Sequence, residues 1–238
     1  MLTKLRRDIS MNENNRKRSL IISFVFGMLG CLCYGSGDWL MVYGDTSYSG
    51  SLLWLTDGVA AISPWRNSLA MLLSFPGIIF YGIGLFAAEK FITDKKSAKI
   101  YQTLNIYGLT PWMCLHLFYI MIMYLYSWMI NNGYSEAALP ACEALYSHLS
   151  WIRMLSEVLM LPPFIYWFIL QIRGKTECPK AMAFTSVLVI YGVLYGIKSL
   201  MPDCPFRIGF TNGLMSESMI IWFVIMIVFT VKNNGSQT

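Results

Sequence analysis

An all-α bundle that crosses a membrane about six times, with both termini in the cytoplasm, is the architecture the sequence predicts, and three observations predict it. Of 238 residues, 56% are hydrophobic and only 13% are charged, against about 25% in an ordinary soluble domain. The apolar residues fall into six long runs, each near the roughly 20 residues that a spanning helix needs. The basic residues occupy alternate gaps between those runs. Together these predict a single membrane domain over 19–231, a basic N-terminal segment over 1–18 and a short tail over 232–238.

The first run, Ser19 to Met41, follows Lys4, Arg6, Arg7, Arg16, Lys17 and Arg18. It exceeds a signal-peptide core and is read as a retained helix. The second run, Arg66 to Phe91, is followed by Lys90, Lys95, Lys96 and Lys99. The third, Ile100 to Ile130, is long enough to tilt, to bend at Pro111 or to project past the bilayer. The fourth, Trp151 to Ile172, leads into Arg173, Lys175 and Lys180. The fifth and sixth, Ala181 to Leu200 and Ile208 to Val231, end before Lys232. Counting positive charge places the first, third, fifth and seventh connecting segments in the cytoplasm. The outer segments agree: Tyr43 to Trp65 contains Asp45 and Asp57, Asn131 to Ser150 contains Glu136 and Glu143, and neither has a Lys or Arg. Their short apolar pieces, such as Leu52 to Leu55 and Ala137 to Leu139, predict interfacial helices that lie against the bundle.

Gly27, Cys31 and Gly35 recur every four residues, giving the first helix a ridge without bulk for close helix contact. Asp38 falls within about 20° of that ridge at 100° per residue, so its carboxylate points into the bundle. Glycines leading to Gly37-Asp38-Trp39-Leu40 at the end of a first span resemble uncharacterised bacterial multi-pass membrane families known only as domains of unknown function. That resemblance implies no activity and no functional residue.

Orientation turns residue number into depth, at about 1.5 Å per residue. Asp38, Glu157 and Glu217 then lie about 5, 9 and 14 Å inside the outer ends of their helices. Arg66, Arg153, Lys198 and Arg207 lie on the same side. This outer polar layer predicts a water-accessible recess in which intramembrane charge is tolerated. On the last helix Gly209, Asn212, Gly213, Ser216 and Glu217 share one face, and on the fourth Arg153 and Glu157 are spaced to pair. His116 shares a face with Asn105, Gly108, Trp112 and Tyr119, whereas His148 lies just outside the fourth span. The candidates for a ligand or proton are therefore Asp38, Arg66, His116, His148, Arg153, Glu157, Lys198, Asn212 and Glu217.

Cys31, Cys33 and Cys114 fall within spans and Cys178 in a cytoplasmic loop, which leaves Cys142 and Cys204 outside as candidates for a disulfide across the recess mouth. No HExxH, paired CxxC, Walker A, GxSxG or dinucleotide-binding pattern is present, so no metal or cofactor is expected. The net charge of +5 is divided among loops beside apolar runs, which suits membrane lipids as partners rather than nucleic acid. The leading functional expectation is a cell-membrane protein that binds or moves a small molecule, lipid or ion through an outward recess. One alternative is an intramembrane lipid hydrolase or isomerase using a His and a carboxylate. The other is a non-catalytic assembly subunit whose polar layer only joins helices.

Overall fold

The computed structural model describes residues 2–44, 55 and 57–233, with the side chains of 13–44, 55 and 58–233. Among them the chain forms α1 (Leu2–Val42), α2 (Asp57–Ala60), α3 (Pro64–Ala88), α4 (Lys95–Asn131), α5 (Ser135–Ile172), α6 (Val187–Leu200) and α7 (Pro205–Lys232), with 3₁₀ turns at Glu89–Phe91 and Lys180–Thr185. It is an all-α bundle, without a named strand among the described residues. Among the same residues an isolated β-bridge pairs Ile92 with Thr176. Five of the described helices are long and apolar enough to cross a membrane: α1 from Glu13, α3, α4, α5 and α7.

The central helix is α1, flanked by α3 and α7; α3 leads to an α4–α5 hairpin, and α6 rests on α7. Small residues permit the tight crossings. A Cβ on Gly27 would stand 2.6 Å from the Phe223 ring and 2.9 Å from the Gly84 backbone. On Gly30 it would meet the Tyr81 backbone nitrogen and lie 2.7 Å from the Gly77 carbonyl. Bulk is therefore excluded where α1 meets α3, as the ridge of small residues predicts.

Two apolar clusters fill the bundle. One gathers Phe24, Phe91, Trp167, Trp222 and Phe223, and the other Val42, Leu55, Phe118, Ile122 and Cys142 toward the opposite end. The basic segments share the first end. Arg16 donates to the Lys90 carbonyl and pairs with Glu177 at 2.9 Å, Lys17 donates to the Val231 carbonyl, and the Thr93 hydroxyl donates to the Lys175 carbonyl. The Arg16–Glu177 pair is about half exposed, so its contribution is no more than about 1 kcal/mol. Asp94 caps α4 there by accepting from the Ser97 hydroxyl and from the Lys96 and Ser97 N–H groups. Those donors hold its carboxyl below the ordinary range, the Ser97 hydroxyl most of all.

Several expectations change. The basic N-terminal segment is helical: α1 starts at Leu2, with no Gly or Pro before the apolar run, so the basic residues stand on the same helix as the first span. The side chains of Lys4, Arg6 and Arg7, and residues 234–238, lie outside the described residues. Pro111 does not break the third span: α4 is continuous through it for 37 residues, about 55 Å, against a hydrocarbon core of about 30 Å. Nor is Asn131 to Ser150 a loop with interfacial helices. It is mostly the first part of α5, whose apolar pieces are the stripe facing α4, with Ala138 and Cys142 fully buried and Tyr146 stacked on Phe118. In the other outer segment α2 is docked, its Ala60 carbonyl accepting from Ser127 and Asn131 of α4. Asp45, Leu52, Leu53 and Trp54 lie outside the described residues, as does the side chain of Asp57.

The fifth predicted span is the largest departure. Ser186 adopts an extended backbone, so α6 starts afresh after the 3₁₀ turn and has only 14 residues, about 21 Å against a hydrocarbon core of about 30 Å. The chain still passes from one end of the bundle to the other in this region. Residues 175–177 bond to the end of α3, whereas Phe206 of α7 packs on Trp39 near the far end of α1.

Candidate functional site

The cavity lies at the end opposite the basic cluster, between α1, the start of α3 and α7, with a volume of about 780 Å³. Its α1 wall is one helical stripe, with Cys31, Gly35, Trp39 and Tyr43 at intervals of four and Leu32, Ser36 and Leu40 beside them. Trp65 and Arg66 come from α3, and Phe206, Ser216, Glu217 and Ile220 from α7. Gly35 keeps α1 against α7, since a Cβ there would stand 3.2 Å from that of Ser216. The lining is mostly apolar, with one carboxylate and one guanidinium.

Both charges are held in place. Glu217 accepts from the Trp39 indole N–H at 3.0 Å through Oε1, while its buried Oε2 has no partner among the described residues. Arg66 donates through Nη2 to the carbonyls of Tyr43 at 3.0 Å and Trp39 at 3.4 Å. It thereby gives a partner to the Tyr43 carbonyl past the end of α1, while the Trp39 carbonyl also accepts from the Tyr43 N–H. Tyr43 stacks on Trp39, and Phe206 meets Trp39 edge-on at 5.2 Å. The mouth is thus aromatic: Tyr43, Trp65 and Phe206 are 47%, 60% and 51% exposed.

Behind this wall Asp38 turns toward α4, where its Oδ1 lies 3.2 Å from Nδ1 of His116. His116 is buried beneath Tyr34, with ring centroids 4.4 Å apart. Its Nε2, like the hydroxyls of Tyr34 and Tyr81, has no hydrogen-bond partner among the described residues. Neither Asp38 nor His116 lines the cavity. The pair places a potential acid and base in the bundle interior.

Of the residues singled out in the sequence, Arg66 and Glu217 come together in the cavity, and Asp38 and His116 stand next to it. The expectation of a single site for all three carboxylates does not hold. Glu157 accepts from Arg153 Nε at 2.7 Å on the half-exposed side of α5, and Arg153 also reaches the Tyr146 hydroxyl. The two residues are one turn apart, so they pair with each other instead of reaching across the bundle. His148 is exposed on α5. Lys198 sits over the Tyr195 ring at 4.7 Å on α6, Asn212 is exposed and bonds to the Ile208 carbonyl, and Arg207 pairs with Asp203. Cys142 and Cys204 are both free: Cys142 is buried against the Ile122 carbonyl within the α4–α5 hairpin, while Cys204 precedes α7. Packing against α4 turns the Cys142 thiol away from the recess mouth. Among the described residues no group of three or more His, Cys, Asp or Glu is arranged to hold a metal ion.

Sequence reasoning missed Trp39, the donor that positions Glu217, and the aromatic mouth. The signal was the stride of four through Gly27, Cys31 and Gly35, which continues to Trp39 and Tyr43. Compared with known proteins, residues 11–233 match the family model described as "Family of unknown function (DUF6796)". No curated protein and no solved structure matches the chain.

Proposed function

The chain belongs to the DUF6796 family of unknown function, and from that starting point we propose that it is a multi-pass protein of the cell membrane that binds a small amphiphilic molecule in an outward-facing recess. The observation that carries this reading is the cavity of about 780 Å³, which combines an apolar wall with a fixed carboxylate and a fixed guanidinium. Its size falls within the range of about 300–1,000 Å³ common for small-molecule sites, and few but well-placed polar groups are what such sites use to orient a ligand. The basic end is assigned to the cytoplasm because Arg16, Lys17 and Lys90 gather there, and α6 is counted as a sixth, short pass because the chain goes from one end of the bundle to the other between residues 177 and 206. The recess then opens toward the other side, beneath a ring of aromatic residues suited to a membrane interface.

Binding is favoured over catalysis because the His–carboxylate pair found among the described residues, Asp38 with His116, lies behind the cavity wall and not on it. The test is native mass spectrometry of the purified protein, comparing wild type with Glu217→Gln. A co-purifying small molecule lost or weakened in the variant supports the reading. A molecule retained unchanged removes Glu217 from the site.

A further inference from the structure

The recess has an internal order that narrows the chemistry of its occupant, and this step rests on the reading above. From Tyr43 to Cys31 its α1 wall is twelve residues long, about 18 Å at 1.5 Å per residue. A hydrocarbon chain can lie along this wall in continuous contact with it.

Polarity is graded along the same axis. At the mouth, Arg66 has no ion-pair partner among the described residues, and only Nη2 is engaged by protein carbonyls. Its Nε and Nη1 donors have no acceptor among the described residues and stay open at the cavity mouth. A guanidinium with open donors beside apolar walls suits an oxyanion, with which it forms the stronger class of hydrogen bond. About one helical turn deeper, Glu217 offers an acceptor, Oε2, that is buried and unpartnered. That position suits a hydroxyl donor. A second anion there would be repelled by the Glu217 carboxylate itself. Below this level the wall is formed by Leu32, Gly35, Cys31 and Ile220, with no charged group.

We infer that the recess takes an amphiphile with a phosphate-type anionic head at Arg66, a hydroxyl-bearing linker at Glu217 and an acyl chain lying along α1. Each third of the ligand meets the third of the recess with matching chemistry.

The test compares head groups on wild-type protein by native mass spectrometry, using oleoyl lysophosphatidate, oleoyl lysophosphatidylcholine and sphingosine as probes. Lysophosphatidate is expected to bind at least about tenfold more tightly than either, the scale of one charge-assisted hydrogen bond. Arg66→Gln should erase that preference, and Ser36→Trp, at a position exposed to the groove, should weaken all three probes. Sphingosine or lysophosphatidylcholine binding wild type as tightly as lysophosphatidate overturns the anionic head, and it does so without a variant that has to fold. If in addition Ser36→Trp leaves every probe unaffected, the recess is not the binding site and the underlying reading fails with it. Loss of the lysophosphatidate signal on adding inorganic phosphate, at a concentration that spares lysophosphatidylcholine, would reassign the site to free phosphate.

Discussion

Replacing Gly30 by alanine tests the α1–α3 crossing on which the recess wall rests. A Cβ there would meet the Tyr81 backbone nitrogen and stand 2.7 Å from the Gly77 carbonyl oxygen and 2.9 Å from the Phe80 carbonyl carbon, all of them backbone atoms that no rotamer change can move aside. Ordinary contact begins near 3.4 Å, so the two helices have to separate by roughly 1 Å along this stretch. Such overpacking costs about 1–3 kcal/mol, and the aromatic contacts of Tyr34 with Tyr81 and of Phe26 with Phe80 loosen as well. In a chain of this size each kcal/mol shifts the midpoint by about 2–4 °C, so thermal unfolding in detergent should show a fall of about 2–12 °C. The control is Gly192→Ala on α6, where nothing lies within 4 Å of the added methyl. Better helix propensity there should leave the midpoint unchanged or raise it, by up to about 1 kcal/mol. Equal midpoints for the two variants would refute the claim that α1 and α3 are in backbone contact at Gly30.

Three further outcomes follow from other contacts. Asp38→Ala should destabilise the protein by about 1–3 kcal/mol, because it leaves Nδ1 of buried His116 without an acceptor; Asp38→Asn, which keeps one, should cost less, and thermal midpoints will rank them. Asp94→Ala should remove an acid-sensitive component of stability. The folded carboxyl is held below its ordinary range, so its contribution is fully present above the unfolded pKa and is lost as pH falls through the folded one; wild type and variant midpoints should therefore converge in acid. Asn131→Ala with Ser127→Ala should free α2 from α4, read as faster proteolysis around residues 57–60 with an unchanged global midpoint.

The helical bundle was legible because hydrophobic length and alternating charge are properties of the chain itself. The ridge at Gly27, Cys31 and Gly35 was legible for a similar reason: a stride of four fixes a face whatever lies opposite. Two features were not. Arg153 and Glu157 share depth with Asp38 and Glu217, but depth says nothing about rotation around the bundle, and pairing within α5 satisfied them locally. The shortness of α6 depends on the backbone at Ser186, where an apolar stretch changes from 3₁₀ to α-helix without a Pro or Gly to mark the break. Composition therefore counted twenty residues as one span. Glu217 was placed correctly on an inward face, whereas its donor Trp39 depends on the approach of α7 to α1, which one-dimensional spacing does not specify.

The fastening of α1 to α7 changes character along their length. Lys17 donates to the Val231 carbonyl at the basic end, Gly27 sits against Phe223, and Gly35 brings the α1 backbone up to Ser216. Around the cavity a single side chain takes over: Trp39 packs on Gly209 and Gly213 and donates to Glu217. The width of the entrance is thus set by one indole ring, which spans the two helices and is itself part of the cavity wall.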